Sequence, residues 1–166
     1  MSDRFPGEIT IGGRIPSRLL NELAGMIASE GVSIDWQYTL DEAGVRAAID
    51  TAAARGETVR FTDDEACGGQ FQDLENWLTS HGIDFDRHSD ARYEYDGENE
   101  HGRGRKRPIT MNSDQSGSDL VSAEEVRRIL ASHAPAGRKL TQIAKLAAVP
   151  PALTPIVLTD RKARHP

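Results

Sequence analysis

A chain of 166 residues is long enough for one ordinary domain with its own core. Its net charge of −6 disfavours a general affinity for nucleic acid backbone or for an anionic membrane. The single cysteine excludes an internal disulfide, and the N-terminal stretch lacks the apolar run of a signal peptide, so we expect a cytoplasmic protein with no membrane segment.

The first third of the chain predicts a strand, a helix and a second strand. Residues 8–11 alternate apolar and polar side chains, as a short strand does, and two glycines follow them. Apolar residues at helical spacing then predict a helix over 17–30, with Ser17 as its N-cap and Gly31 as its C-cap. Alternation resumes at 32–36, which predicts a half-buried strand.

The middle of the chain continues with the same kinds of element. A helix is predicted over 40–55, opened by a capping box that starts at Thr39. A strand is predicted over 58–62, followed by an acidic loop and a third helix over 70–81, and Gly56 and Gly82 are predicted to end the second and third helices. A further alternating strand begins at Ile83.

Two segments, 20–35 and 71–86, repeat one pattern at a constant spacing of 51 residues. Their apolar positions agree in kind, and four pairs are identical: Leu23/Leu74, Ser29/Ser80, Gly31/Gly82 and Asp35/Asp86. We therefore predict an α+β fold built on a duplicated βαβ unit. It is a ferredoxin-like antiparallel sheet with its helices packed on one face, and the helix at about 40–55 is an insertion.

Beyond residue 90 the sequence predicts a β-hairpin. Residues 92–96 alternate as a strand does, and Asp96-Gly97 is a turn signal, so the chain is expected to return through 106–111. The stretch 97–107 is rich in glycine and holds no large apolar residue, which predicts a mobile tip.

The C-terminal part predicts further helices. Ser122 opens a capping box and a helix that ends near Ser132, and another helix covers 140–148. Residues 155–158 favour a short edge strand. The chain is thus expected to divide into a core with its hairpin over 1–112, a C-terminal helical extension packed on that core over 113–160, and a disordered tail over 161–166.

Asp84, Asp86, His88 and Asp90 would share one face of a strand that starts at Ile83. Carboxylates beside an imidazole suit a divalent metal or acid–base chemistry, so a metal-dependent hydrolase centred on the first three is one hypothesis. A solvated strand face carries the same alternation, and we favour that interpretation.

Cys67 lies in the predicted loop between a strand and a helix, where a thiol can act as a nucleophile. Its acidic neighbours Asp63, Asp64 and Glu65 disfavour the thiolate, so we predict a small, partly buried cysteine. The pattern of the glycine pairs at 12–13 and 68–69 matches no phosphate-binding motif.

A basic run over 101–107 is the strongest local charge feature, and its cations are Arg103, Arg105, Lys106 and Arg107. It favours a small nucleic-acid-binding protein as the alternative function. Because the acidic stretch 94–100 directly precedes the run, neutralisation across the predicted hairpin is the competing expectation.

The segment GGQFQDLENWLTSHGIDFDRHSDARYEYD, residues 68–96, resembles a group of small proteins carried by bacterial phages and mobile elements. The resemblance rests on the passage from helix through glycine to strand and on the Asp-Arg-His-Ser-Asp run. It implies a genomic setting in which anti-defence proteins, CRISPR inhibitors among them, are common, and such inhibitors occupy a surface of the defence complex without catalysis.

The leading hypothesis is therefore a non-catalytic protein-binding module, with a CRISPR effector as one candidate partner. It needs no cofactor and no metal. Its acidic face would imitate phosphate charge and meet a basic surface on the partner. The residues expected on this face are Asp63, Asp64, Glu65, Asp84, Asp86 and Asp90, with Tyr93 and Tyr95 as packing contacts.

Overall fold

The computed structural model describes residues 3–36, 38–91, 96–114, 116–147 and 150–160. Within these ranges the fold is α+β, with a five-stranded antiparallel sheet, a separate two-stranded parallel sheet and five α-helices. None of the helices found there has the length and apolar character that crossing a bilayer requires.

The first eight elements in chain order are β1 Arg4–Gly12, β2 Arg14–Pro16, a 3-10 turn Ser17–Leu19, α1 Leu20–Ser29, α2 Glu42–Arg55, β3 Val59–Cys67, α3 Gln72–His81 and β4 Asp84–Ser89. The remaining five are β5 Gly97–Gly102, β6 Ile109–Ser113, α4 Ala123–Ala131, α5 Ala136–Leu146 and β7 Val157–Thr159.

The main sheet has the order β3-β1-β4-β5-β6. Alternate residues of its strands face a core that α1, α2 and α3 also fill, so these helices lie on one face of the sheet. The strand and helix residues with no exposed surface in this core include Ile9, Ile11, Leu23, Ile27, Val45, Ile49, Phe61, Leu74, Leu78 and Phe85. The opposite face carries polar side chains.

The helix ends confirm part of the predicted capping. Gly56 and Gly82 end α2 and α3 with φ angles of 66° and 72°, a backbone conformation that suits glycine. Ser122 caps α4, because its hydroxyl accepts a hydrogen bond from the Glu125 amide. Three predicted caps were wrong: Asp41 replaces Thr39 at the start of α2, Ser17 begins the 3-10 turn without a capping side chain, and Glu30 rather than Gly31 is the C-cap of α1.

The repeat holds in the helices and fails in the strand that should follow the first of them. Leu23 and Leu74 are both fully buried, as the alignment requires. Residues 32–36 form only the isolated bridge between Ser33 and Thr62, and Ile34 is 39% exposed where its counterpart Phe85 is buried. The ferredoxin-like duplicated arrangement is therefore not confirmed.

The hairpin lies further along the chain than predicted. The expected tip, 97–107, contains β5, which pairs with both β4 and β6, and the reversal falls at 103–108. Residues 92–95 of the expected strand over 92–96 lie outside the described residues, as does the tail over 161–166. The acidic loop after residue 62 was also wrong, since β3 continues to Cys67.

Arg87 explains why β5 lacks the apolar side chains of an ordinary inner strand. Its guanidinium is fully buried on the helix side of β4 and donates hydrogen bonds to Glu75 of α3 at 3.2 Å and to Glu98 of β5 at 2.5 Å. It also lies 3.4 Å from Glu100. The inward-facing side chains of β5 are thus carboxylates that bind an arginine.

Glu75 completes this cluster, because its carboxylate also accepts a hydrogen bond from the Phe71 amide at 3.0 Å. Burial raises the pKa of Glu75, and the charge of Arg87 offsets part of that increase. One guanidinium therefore joins α3, β4 and β5.

The C-terminal segment returns to the core after α5. Ile156 is buried, and its amide donates to the Glu57 carbonyl, while β7 pairs with β2. Every residue of α4 and α5 lies within the described ranges, and none of them is buried.

We expect Arg87→Met to destabilise the fold by about 3–5 kcal/mol, because it leaves three carboxylates without their buried counter-ion. Urea unfolding followed by circular dichroism measures the change. Arg46→Met is the matched control, since the ion pair of Arg46 with Asp50 is exposed and should contribute less than about 1 kcal/mol. Equal losses for the two variants would contradict this assignment.

Candidate functional site

The face of the sheet opposite α1–α3 carries a shallow depression of about 190 Å³, which we call the open-face site. Alternation along β1, β4 and β5 brings its side chains to one side, as the sequence predicted for Asp84, Asp86 and His88. The residues that line it include Glu8, Thr10, Asp86, His88, Asn99 and His101.

His101 is the centre of the open-face site. Its Nδ1 lies 2.8 Å from an Asp86 oxygen, and its Nε2 lies 3.3 Å from both carboxylate oxygens of Asp119. Both ring nitrogens therefore face carboxylates, which accept hydrogen bonds and cannot donate them when ionised. This arrangement suits the protonated imidazolium.

The ionisation of both partners follows from this contact. The hydrogen bond with Asp86 raises the pKa of His101, burial works against it, and Asp119 adds to the increase. Burial alone would raise the pKa of Asp86, but His101 and the Arg103 guanidinium together lower it.

His88 lies beside His101 and is held in the same way. Its Nδ1 lies 2.7 Å from Asn99 Oδ1, and its Nε2 lies 3.1 Å from Asp90. Asn99 uses its Nδ2 to donate to the Gly117 carbonyl and to Asp119, both at 2.8 Å, so its oxygen must face the imidazole. The histidine nitrogens of this site are thus engaged by neighbours.

Residues 114 and 116–120 cross the open face, and we call them the strap. Asp114 holds the turn of the strap, because its carboxylate accepts hydrogen bonds from the backbone amides of Ser116 and Ser118. Asp119 then ties the strap to β5 through Asn99 and His101. The strap leads directly into α4.

The acidic residues expected on one face occupy separate places. Asp84 accepts a hydrogen bond from the Gly104 amide at 2.7 Å, and Asp90 binds His88. Asp86 has an ion pair with Arg103 at 2.8 Å as well as its contact with His101. Each of the three aspartates of 84–90 therefore binds another residue of the same chain. Tyr93 and Tyr95 lie outside the described residues.

Asp63, Asp64 and Glu65 lie at the far end of β3, away from that network. Burial raises the pKa of Glu30, a hydrogen bond from the Leu74 amide offsets part of that increase, and the carboxylates of Asp73 and Asp63 add to it, so both lie near Glu30. We call these five residues the acidic end. Among the described residues, none of the five forms an ion pair.

The basic run divides into one structural arginine and three exposed cations. Arg103 donates hydrogen bonds to the carbonyls of Phe85 and Pro151 and pairs with Asp86, so it fixes the turn. Arg105, Lys106 and Arg107 are exposed in the 103–108 turn. Within the described ranges they form no ion pair, and the predicted neutralisation does not involve Glu98 and Glu100, which bind Arg87.

The metal-dependent hydrolase receives no geometric support. Asp84, Asp86 and His88 share a face but each binds a different neighbour. In the part of the chain that the structure describes, no group of three histidine, cysteine or carboxylate side chains is arranged to hold a metal ion. The prediction of a partly buried Cys67 in a loop was wrong, because Cys67 is exposed and is the last residue of β3, four residues before the α3 N-cap.

Sequence reasoning missed Arg87, Asn99 and Asp119. Arg87 had a usable signal, because strict alternation places it on the same side as Phe85. Asn99 and Asp119 had none, since one lay in a predicted tip and the other reaches the site only through the fold of the strap.

Comparison with protein-family models, curated proteins and solved structures gives no match for this chain. The resemblance of residues 68–96 to phage and mobile-element proteins therefore stays a prediction.

The contact between His101 and Asp119 should make the stability of the strap depend on pH. Because the pKa of His101 is raised in the folded state, this contact stabilises the strap fully below about pH 6.5. Its stabilisation is lost as the pH rises through the raised pKa. Asp86, whose pKa is lowered, contributes above about pH 3.8 and loses its contribution as the pH falls through the lowered value.

We expect hydrogen-exchange protection of the strap amides, corrected for the intrinsic pH dependence, to fall about two- to tenfold as His101 deprotonates. His101→Gln should lower protection at acidic pH and remove this dependence. His133→Gln, at an exposed position between α4 and α5, is the control and should change neither. Retention of the wild-type pH profile by His101→Gln would exclude this contact between His101 and Asp119.

Proposed function

We propose that this protein is a non-catalytic protein-binding module that meets a basic surface on its partner through the acidic end. One observation supports this most directly: Glu30, Asp63 and Asp73 crowd together without an ion pair among the described residues. A cationic partner would relieve their mutual repulsion.

The open-face site supports the same proposal by contrast. A general acid or base needs a titratable group that can exchange a proton with a substrate. In both His88 and His101, each of the two ring nitrogens is instead hydrogen-bonded to an oxygen atom of a neighbouring side chain. This network is better suited to fixing the strap than to catalysis.

The binding surface that we propose is smaller than the acidic face predicted from the sequence. Asp84, Asp86 and Asp90 are engaged internally, which leaves Asp63, Asp64 and Glu65 as the available part of the predicted acidic face. The resemblance to phage and mobile-element proteins supports a bacterial defence complex, such as a CRISPR effector, as the partner.

A ferredoxin-like ancestry of the sheet also remains a proposal. The Ser33–Thr62 bridge lies on the outer side of β3, where the strand missing from such a sheet would pair. This supports the idea that residues 32–34 are a reduced strand.

If the partner surface is basic, binding should weaken as the salt concentration rises and when the charges of the acidic end are reversed. A tagged chain expressed in a bacterial host should co-purify a partner, and binding to that purified partner should weaken at least about tenfold between about 50 and about 500 mM salt. The variant Asp64→Lys/Glu65→Lys/Asp73→Lys, at three exposed positions, should abolish it.

The matched control is Glu42→Lys/Asp96→Lys/Asp160→Lys, which changes the net charge equally at exposed positions elsewhere. The control should keep most of the binding. Binding that is insensitive to salt, or equal loss in both triple variants, would remove the acidic end from the proposal.

The exposed cations of the 103–108 turn favour nucleic acid binding as a second candidate. Arg105, Lys106 and Arg107 are available because Glu98 and Glu100 bind Arg87. If this candidate holds, a mobility shift with single-stranded RNA or DNA should disappear in Arg105→Ala/Lys106→Ala/Arg107→Ala. Absence of any shift for the wild type at low salt would exclude it.

A further inference from the structure

The C-terminal helices α4 and α5 form a hairpin that leaves two leucines uncovered, while Val126, Ile129, Ile143 and Leu146 are half-buried. Leu130 of α4 is 54% exposed and Leu140 of α5 is 68% exposed, and Leu120, just before the hairpin, is 49% exposed. Helices of nine and eleven residues are marginal in water unless an apolar face packs on something. The helical hairpin therefore lacks a surface to complete it.

The charge of the helical hairpin is opposite to that of the rest of the chain. Residues 123–146 hold five lysines and arginines against two acids, a net charge of +3. Residues 1–119 hold 12 lysines and arginines against 23 acids, a net charge of −11. Arg127, Arg138 and Lys145 are exposed, and within the described residues none of them has an ion pair.

The outer edge of β3 offers a surface with the matching properties. A groove of about 500 Å³ lies between α2 and the start of β3. Its lining combines the apolar residues Ile34, Ala47, Ala48 and Val59 with the charged residues Asp35, Arg55, Glu57 and Arg60. The acidic end follows at the other end of the same strand. Apolar side chains at the start of β3 and carboxylates without an ion pair further along it thus lie on one side of the molecule, as leucines and cations both lie on the helical hairpin.

We propose that the helical hairpin of one copy docks on the outer edge of β3 in a second copy. The leucines enter the groove, and Arg127, Arg138 and Lys145 pair with the acidic end. The inference rests on the proposed function in one respect, because it assigns a second copy of this chain as a basic partner for the same acidic end. The contact joins two different surfaces, so copies add as a ring or a chain.

The test is the molar mass of the purified full chain, measured by sedimentation at about 50 and about 500 mM salt. At low salt the mass should be a multiple of the monomer, and at high salt the monomer should predominate. Leu130→Glu/Leu140→Glu, at positions that are already exposed, should weaken association at least about tenfold. A wild-type chain that stays monomeric at low salt would overturn the inference.

Charge reversal on both surfaces identifies the contact. Arg127→Glu/Arg138→Glu/Lys145→Glu should be monomeric, as should Asp64→Lys/Glu65→Lys/Asp73→Lys. Both sets of substitutions in one chain should restore association, because the two surfaces again have opposite charge. Failure of the combined variant to associate, while circular dichroism shows it folded, would overturn the docking.

The two proposals fail differently. A monomeric wild type whose co-purified partner is lost on reversal of the acidic end removes self-docking and keeps the binding function. A self-associating wild type with no other partner supports the docking and removes the defence complex as partner. A monomer whose binding is indifferent to the acidic end removes both.

Discussion

The fold depends on how one buried guanidinium is neutralised. Arg87 has 1% of its surface exposed, and a charge at that depth requires carboxylates and a nearly complete set of hydrogen-bond acceptors. Glu75, Glu98 and Glu100 provide the carboxylates from α3 and β5, on either side of β4. Because those two elements must approach the same side chain, the cluster fixes the register of β5 and the position of α3 together.

This neutralisation also determines which charges remain on the surface. Glu98 and Glu100 would otherwise lie within reach of the basic turn, and their contact with Arg87 leaves Arg105, Lys106 and Arg107 exposed. On the open face, Arg103 and His101 neutralise Asp86 in the same way. Among the described residues, the acidic end and the hairpin cations Arg127, Arg138 and Lys145 also form no ion pair, and both proposals about binding follow from these charges.

The sequence predicted the two helices of the repeat and the strand that follows the second of them because apolar periodicity marks them, as at Leu23, Leu74 and Phe85. The sequence did not predict β5, because the inward-facing side chains of this strand are carboxylates. Such a strand has the composition of a polar loop, and only the buried Arg87 explains why it lies in the sheet. The sequence failed at 32–36 for the opposite reason: the alternation of Val32, Ile34 and Trp36 is present, but the chain turns at Trp36, whose φ is 59°. It placed Asp84, Asp86 and His88 on one face correctly, and could not place Asp119, which reaches them only through the strap.

A double-mutant cycle tests most directly whether Glu98 neutralises the buried Arg87 or the exposed cations of the 103–108 turn. Arg87→Met and Glu98→Gln should show a coupling free energy above about 1 kcal/mol, while Lys106→Met and Glu98→Gln should be additive within about 0.5 kcal/mol. Both cycles are measured by urea unfolding at neutral pH. Additive effects for Arg87 with Glu98, or strong coupling of Glu98 to Lys106, would mean that the carboxylates of β5 serve the surface cations and that the account of the buried guanidinium is wrong.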